Sequence, residues 1–231
     1  KFDALHYDKI NINLDIINPD IIINCIGVTK HVLKDYRPTD TYFLNSIFPN
    51  LLSNWCNKNS KRLIHISSDC IFDGTKPKSR IIDEDIYGYS KYLGEKNINN
   101  GLIIRTSTVG HELNSSYGLL NWFMVQNTEV KGYTNAFFNG ITTLTLAMYI
   151  YKILNKIPNE KLTLNLTSKK ISKYDLINIF NVLYKCNKSI IPINTPKIDR
   201  TLSANKYEKL VFIRKSWFQQ IVETRNFNIK K

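Results

Sequence analysis

The first half of the chain alternates between short apolar runs and polar segments with helical spacing. Three apolar runs, at residues 21–23, 62–67 and 102–105, are bounded by turn residues, as in strands buried on both faces of a parallel sheet. Residues 8–18 precede the first run and place apolar side chains at helical spacing. The order strand, helix, strand, helix, strand predicts right-handed crossovers and a doubly wound α/β sheet.

Two longer helices are predicted between these strands. Over residues 39–57 the apolar side chains recur every four positions, at Phe43, Ile47, Leu51 and Trp55. Pro49 lies in the middle, so we expect a helix that bends there. Acidic residues 83–85 precede the second helix and complement its N-terminal dipole. This helix is expected to end before Gly101, which can adopt a positive φ.

The chain changes character after Gly110. The elements predicted from its periodicity are an aromatic-rich helix at residues 119–123, a loop at 131–135, a helix at 142–154 and a strand at 162–166. Ser172 and Asp175 then have the spacing of a helix N-terminus. The tail after residue 190 is less regular.

Tyr87 and Lys91 form the most informative polar pair in the sequence. Residues four apart share one face of a helix, and an ammonium there favours the phenolate and lowers the pKa of the phenol toward neutrality. Ser68 ends the preceding strand and can hold a substrate oxygen against that phenol. Two further Tyr-x-x-x-Lys pairs are interpreted as packing or solvated pairs, because no comparable strand precedes them.

Composition excludes several other classes of protein. Apolar residues make up 43% of the chain, which indicates a globular fold, and the apolar runs are far shorter than the ~20 residues that a membrane span needs. We therefore expect a soluble, cytoplasmic protein. The net charge of +13 comes from scattered lysines, which favours attraction of an anionic nucleotide over nucleic-acid binding. The four cysteines have neither the spacing of a zinc site nor that of a disulfide framework.

The first predicted strand ends in an Asn-x-x-Gly segment, Asn24 to Gly27. Ligands of doubly wound sheets bind outside the carboxyl ends of the strands, so this segment is a candidate cofactor contact. An ordinary strand-to-loop turn explains the same residues equally well.

Four motifs in a fixed order resemble the dTDP-4-dehydrorhamnose reductase family of extended short-chain dehydrogenases. They are the segments at residues 19–24, 66–74, 87–95 and 105–107, which read PDIIIN, ISSDCIFDG, YGYSKYLGE and RTS. The resemblance covers about residues 18–110 and weakens toward the C-terminus. It implies a Rossmann-like dinucleotide-binding part at residues 1–112. Residues 113–231 would then be mainly a substrate lobe, with a strand and helix at about 160–185 returning to the main sheet.

The same resemblance implies roles for individual residues. Tyr87 would be the general acid, Lys91 would lower its pKa and hold the nicotinamide ribose, and Ser68 would position the keto oxygen beside Asp69. The residues implied to line the dinucleotide are Asn24, Gly27, Asn45, Ser67, Tyr87, Lys91, Arg105, Thr106 and Ser107. Lys131, Tyr133 and Arg200 are candidates for the nucleotide-sugar end.

The reaction implied is reduction of the 4-keto group of a nucleotide-linked 6-deoxyhexose by NADPH or NADH, in sugar-nucleotide biosynthesis. The oligomeric state stays open, with a homodimer as one candidate. Two alternatives also remain open, both with the same fold: a non-catalytic dinucleotide-binding regulatory subunit, and a nucleotide-sugar epimerase or dehydratase that would use Asp69 as an acid–base group.

The sequence departs from the family at its start. It has no strand followed by a G-x-x-G-x-x-G loop, whose backbone amides bind a pyrophosphate. We therefore expect the chain to lack on the order of 50 N-terminal residues, more than one βαβ unit of about 30. The residue that selects between NAD and NADP would lie in that segment.

Overall fold

A computed structural model describes residues 3–6, 9–75, 85–113, 115–154, 161–204 and 215–227. The acidic residues predicted to precede the second helix, Asp83 and Glu84, lie outside these ranges. In the described part of the chain, the α-helices are α1 (Ile10–Ile17), α2 (Pro38–Tyr42), α3 (Phe48–Lys58), α4 (Ile86–Lys96), α5 (Leu119–Val125), α6 (Thr143–Leu154), α7 (Lys173–Leu183) and α8 (Trp217–Asn226).

Eleven strands occur in the same ranges. They are β1 (Ile21–Asn24), β2 (Arg62–Ser68), β3 (Leu102–Thr106), β4 (Thr108–Val109), β5 (Glu129–Tyr133), β6 (Ala136–Phe138), β7 (Ile141–Thr142), β8 (Leu162–Asn165), β9 (Ile171–Ser172), β10 (Ser189–Ile193) and β11 (Ile198–Asp199).

The chain divides into two compact units. The first comprises Lys1–Asp73, Ser79–Arg105 and Pro158–Leu164, and the second Gly74–Lys78, Thr106–Ile157 and Asn165–Lys231. The polypeptide therefore passes between the units several times, so no single point in the sequence separates them. The strand β8 belongs to the sheet of the first unit, whereas the helix α7 that follows it belongs to the second.

The first unit is built on a four-stranded sheet with the order β1-β2-β3-β8. The strands β1 and β2 are parallel, with Asn24 opposite His65. The prediction that the first apolar run is buried on both faces was wrong, because Ile23 is 44% exposed. Among the described residues β1 is the outermost strand of this sheet, which leaves one side of it without a neighbour.

The helix predicted at residues 39–57 is present, and its hydrogen bonding changes in the middle. Its middle, Phe43–Ile47, is a π-helical turn that separates α2 from α3. The backbone N–H of Phe48 donates to the carbonyl of Phe43, five residues earlier. Pro49 lies in the first turn of α3, where its missing N–H is tolerated. The helical run thus continues through Pro49, with the π-helical turn directly before α3.

The core of the first unit packs these helices against the sheet. The buried apolar side chains of this helical run recur at helical spacing and are Leu44, Phe48, Leu52 and Trp55. The predicted face was wrong at Ile47, which is 48% exposed, because the π-helical turn shifts the face that packs on the sheet by one residue. The helix α1 adds Ile10 and Leu14, while Ile17, which has the same spacing, is 65% exposed. An amphipathic stripe of this kind fixes the helix on the sheet.

The described residues of the second unit form three small sheets, with the strand orders β10-β5, β11-β6-β9 and β4-β7. The loop predicted at residues 131–135 was wrong for its first half, because residues 131–133 belong to β5. This strand pairs in parallel with β10, which lies about sixty residues later in the chain. The pairing is non-local, and the turn-forming residues Gly132 and Asn135 made a loop the better prediction from the local sequence.

The helix start predicted at Ser172 is confirmed. The Ser172 hydroxyl accepts a hydrogen bond from the backbone N–H of Asp175 at 3.0 Å, which caps α7. The helix α7 then buries Leu176, Ile177 and Phe180 in the core of the second unit. In the part of the chain that the structure describes, no helix has the length and apolar character needed to cross a bilayer.

Candidate active site

The helix α4 carries Tyr87 and Lys91 and is fixed at its first turn by Asp85. The Asp85 carboxylate accepts from the backbone N–H of Tyr87 at 2.9 Å and pairs with the Lys30 ammonium. Burial alone would raise the pKa of Asp85, but Lys30 and the helix N–H groups outweigh it and hold that pKa below its usual value. The capped first turn sets the direction in which Tyr87 projects.

Ser68, the last residue of β2, is hydrogen-bonded to the Tyr87 phenol. Its oxygen also accepts from the Cys70 N–H at 3.0 Å, and it lies 3.3 Å from the Asp69 carboxylate. All four residues belong to the first unit. The structure therefore brings together the serine, tyrosine and aspartate that the sequence placed about 20 positions apart.

Tyr87 has a raised pKa rather than the lowered one that was expected. Burial is the main cause, and the nearby Cys70 and Asp69 add to it, while the hydrogen bond with Ser68 acts in the opposite direction. The expected lowering of the Tyr87 pKa by Lys91 is not seen. The Lys91 ammonium donates to the Ile66 carbonyl at 2.7 Å. The phenol is therefore fully protonated at neutral pH.

Lys91 is a buried cation, with 5% of the residue exposed. Burial lowers its pKa to about 8, and the opposite influence of Glu95 and Cys25 limits the decrease. An ammonium has three N–H donors, and the Ile66 carbonyl accepts from one of them. Lys91 thus remains charged at neutral pH and loses its charge in mild alkali.

Asn24 and Asn45, both predicted to contact the dinucleotide, use their amides within the protein. The Asn24 oxygen accepts from the Ile26 N–H at 3.0 Å, and its nitrogen faces the His65 ring, also at 3.0 Å. Asn45 exchanges two hydrogen bonds with the Val28 backbone and donates to Ser90. Both side chains are buried and shape the loop that follows β1.

Gly27 connects this loop with Lys91. A Cβ atom at position 27 would lie 2.9 Å from the Asn45 side-chain oxygen and 3.6 Å from the Lys91 ammonium nitrogen. The tight contact is the one with Asn45, so the absence of a side chain at residue 27 lets the Asn45 amide approach this loop, while the distance to Lys91 is an ordinary contact. Of the Asn-x-x-Gly segment, the glycine is the part that borders Lys91.

Ser67 and Arg105 converge on Glu95, a residue that sequence reasoning missed. The Ser67 hydroxyl donates to the Glu95 carboxylate, and the Arg105 guanidinium binds it through Nη2 at 2.6 Å and Nε at 3.0 Å. Glu95 is 4% exposed. The available signal was its position four residues after Lys91, on the same helix face.

His65 was also missed, and its proton can be placed. Because the Asn24 oxygen already accepts from a backbone N–H, the Asn24 nitrogen is the donor to His65, so we assign the ring proton to Nε2. Burial, and then Lys91, lower the pKa of His65 well below its usual value. The ring is therefore neutral.

The remaining predicted residues belong to the second unit. Thr106 donates to the Leu166 carbonyl at 2.9 Å, and the Ser107 carbonyl accepts from the Ile141 N–H at 2.9 Å. Lys131 and Tyr133 lie on the exposed face of β5. Arg200 follows β11, and its backbone N–H donates to the Phe137 carbonyl at 3.0 Å. Within this unit Lys131 and Tyr133 are neighbours, whereas Arg200 lies on a different sheet.

A sequence profile of the RmlD substrate binding domain matches residues 1–225. The chain belongs to the RmlD substrate binding domain family. A dTDP-4-dehydrorhamnose reductase of Mycobacterium tuberculosis is 29% identical over 86 residues, which are 33% of this chain and 28% of that relative. One from Aggregatibacter actinomycetemcomitans is 23% identical over 68% of this chain and 57% of its own length. The matched regions thus span less than two thirds of these relatives.

Several solved structures have the same fold as this member of the RmlD family. The dTDP-4-dehydrorhamnose reductase of Bacillus anthracis, solved in complex with NADP, superposes with a TM-score of 0.82 at 19% identity, covering 97% of this chain and 86% of that one. The orthologue from Clostridium acetobutylicum gives the same score at 20% identity. The Rossmann-like α/β fold and the family resemblance drawn from the four motifs are confirmed.

Proposed function

We propose that the protein reduces the 4-keto group of a nucleotide-linked 6-deoxyhexose with NAD(P)H, as an oxidoreductase of the dTDP-4-dehydrorhamnose reductase type in sugar-nucleotide biosynthesis. The observation that carries the proposal is the hydrogen bond between Ser68 and the Tyr87 phenol, with Lys91 one helical turn away. The names of the relatives support the same reaction.

The raised pKa of Tyr87 suits the direction of reduction. A phenol that stays protonated at neutral pH is a ready proton donor, and the alkoxide formed from a ketone is far more basic than a phenolate. Ser68 would donate a hydrogen bond to the keto oxygen and hold it beside Tyr87. As the carbonyl carbon accepts a hydride, the phenol proton moves to the oxygen and the product is the alcohol.

The residues around Lys91 fit a nicotinamide cofactor. Gly27 borders the ammonium, and the ammonium and phenol form a donor set suited to ribose hydroxyls. Bound NADPH or NADH would supply the hydride. NADP occurs in the Bacillus anthracis structure and NADPH in that of a protein called RMD from Pseudomonas aeruginosa, which favours the phosphorylated cofactor.

Lys131, Tyr133 and Arg200 remain our candidates for the nucleotide-sugar end of the site. Lys131 and Tyr133 are exposed on one strand face, where a cation and an aromatic ring side by side can hold a phosphate and a base. Arg200 is partly buried and has the planar fork that binds a diphosphate. These three assignments are proposals that substitution can test separately.

The test is reduction of dTDP-4-dehydrorhamnose by the intact protein with NADPH and with NADH. The decrease in reduced-nicotinamide absorbance measures turnover, and Tyr87→Phe is expected to lower it by about 10²–10⁴-fold with dinucleotide binding nearly unchanged. Tyr89→Phe, a tyrosine on the same helix, is the matched control. Turnover by Tyr87→Phe above about a tenth of wild type would remove the proposed role of Tyr87.

Asp69 keeps a dehydratase or epimerase as the second candidate. It is 5% exposed and lies beside Ser68, where a dehydratase would place an acid–base carboxylate. Incubating the protein with dTDP-glucose and NAD and following the sugar by NMR distinguishes the two. Loss of water or inversion at the sugar, without net consumption of reduced cofactor, would favour this second candidate over the reductase.

We further propose a cytoplasmic location. Cys25, Cys56, Cys70 and Cys186 are all free thiols, as in proteins of a reducing compartment. The homodimer stays a prediction, and light scattering during size-exclusion chromatography measures it directly.

A further inference from the structure

The buried carboxylate of Glu95 joins three elements of the first unit. Glu95 lies on α4, Ser67 near the end of β2, and Arg105 near the end of β3. The serine hydroxyl and the arginine fork both donate to the same carboxylate. Such a site holds a charged pair away from water, so each partner has a strong preference for one geometry.

Arg105 extends the contact to the loop after Ser68. Its guanidinium carbon lies 5.6 Å from the centre of the Phe72 ring, a cation–π distance. Phe72 directly follows the short helical turn Asp69–Ile71, and Ser68 caps the start of that turn. Glu95 therefore acts on both sides of Ser68: through Ser67 on the strand and through Arg105 on the loop.

We propose that Glu95 is a positioning residue of the site, whose carboxylate holds Ser67 and Arg105 together and so keeps Ser68 and Lys91 in place for the reaction. This inference rests on the proposed reductase function for its effect on turnover. Its effect on Lys91 needs no substrate and can be measured separately.

Titratable groups from three parts of the first unit face Lys91. Glu95 faces Lys91 from the same helix, Cys25 faces it from the loop after β1, and the neutral ring of His65 faces it from β2. Of these groups, Glu95 most strongly opposes the decrease in the pKa of Lys91 that burial causes. Arg105 in turn offsets part of the Glu95 charge.

Two substitutions are therefore expected to move the Lys91 titration in opposite directions. Glu95→Gln removes the negative charge, so Lys91 should lose its proton at a lower pH than in the wild type. Arg105→Gln removes the positive charge that balances Glu95, so Lys91 should lose its proton at a higher pH. Simple loosening of the structure would shift both variants in the same direction.

The titration is followed by NMR of protein that contains ¹³C-labelled lysine. Lys91→Arg assigns the resonance, and Glu223→Gln is the control, because it breaks the Lys215–Glu223 ion pair of the second unit. The inference requires a lower midpoint in Glu95→Gln and an unchanged one in the control. A Lys91 midpoint that stays at the wild-type value in folded Glu95→Gln and Arg105→Gln overturns it.

Turnover provides the second measurement. Glu95→Gln is expected to lower kcat by about 10²-fold, since displacing reacting groups by about 1 Å has effects of that size. Its loss of activity in alkali should also begin at a lower pH than in the wild type. Ser67→Ala removes only the neutral donor, so it should lower kcat without moving the Lys91 midpoint.

If the wild-type protein reduces no keto sugar, the proposed function fails, while the Lys91 titration still decides the role of Glu95. Full wild-type kcat in both Glu95→Gln and Ser67→Ala would overturn the positioning role.

Discussion

The close approach between α4 and the π-helical turn makes Gly94 the position at which a single methyl group should be most informative. A Cβ atom added to Gly94 would lie 2.1 Å from the Asn45 backbone oxygen and 3.2 Å from its carbonyl carbon. Ordinary contacts of this kind begin at 3.4 Å, and the oxygen belongs to the backbone, so no side chain can simply rotate away. Gly94→Ala must therefore push the two segments apart by about 1 Å.

The size of the effect follows from two opposing contributions. Forcing an extra methyl into a packed interior typically costs about 1–3 kcal/mol. Replacing glycine by alanine inside a helix returns about 0.5–1 kcal/mol. The net free energy of unfolding should decrease by about 1–2 kcal/mol, which corresponds to a decrease of about 2–8 °C in Tm for a chain of this size.

Function should be affected more strongly than stability. Ser90 on α4 is bound by the Asn45 amide at 3.0 Å, and its carbonyl accepts from Ser46 at 2.8 Å, so both bonds break if the segments separate. Lys91 is the next residue and would be displaced with them. We expect Gly94→Ala to lower turnover by about 10²-fold.

The assay combines thermal unfolding with turnover. Lys96→Ala, an exposed substitution on the same helix, is the control and should change stability by less than about 0.5 kcal/mol. Wild-type Tm and turnover in Gly94→Ala would refute the reasoning, because they would mean that the helix and the Asn45 carbonyl are not in close contact.

Three further predictions concern other positions. Folding lowers the pKa of His65 below 6.5. The stability that the neutral ring contributes is therefore complete above that pH and is lost as the pH falls. The free energy of unfolding in urea should decrease with falling pH, and this decrease should be smaller in His65→Gln. Gly140→Ala would place a Cβ 2.0 Å from the Ser107 carbonyl oxygen and should lower the urea midpoint by an amount equivalent to about 1–3 kcal/mol, which a wild-type midpoint would contradict. Arg200→Ala should raise the Michaelis constant for the nucleotide sugar with little change in kcat, and an unaltered constant would exclude Arg200 from the site.

Local sequence patterns predicted the elements of this fold well, except where an element depends on pairing with a distant part of the chain. The cap at Ser172 depends only on residues three positions apart, so the sequence contains all the information needed. The strand β5 depends on β10, about sixty residues away, and its glycine made a loop the better local prediction. Pro49 shows an intermediate case. The sequence reveals that an N–H is missing, but not that a π-helical turn precedes Pro49 and lies close to Gly94.

The sequence predicted which polar residues lie at the candidate site, but not which of their side chains hydrogen-bond within the protein. Asn24 and Asn45 hydrogen-bond within the protein, because a buried amide without partners would cost about 1–3 kcal/mol and the adjacent loop backbone offers those partners. Ser67 and Arg105 are similarly engaged by Glu95. Among the predicted groups of the first unit, Ser68, Tyr87 and Lys91 remain our candidates for direct contact with a ligand, with Asp69 beside them as the candidate acid–base group. If this division is correct, Asn45→Ala should act through the position of Lys91, and its defect in turnover should be accompanied by a changed Lys91 titration rather than by a loss of substrate affinity alone.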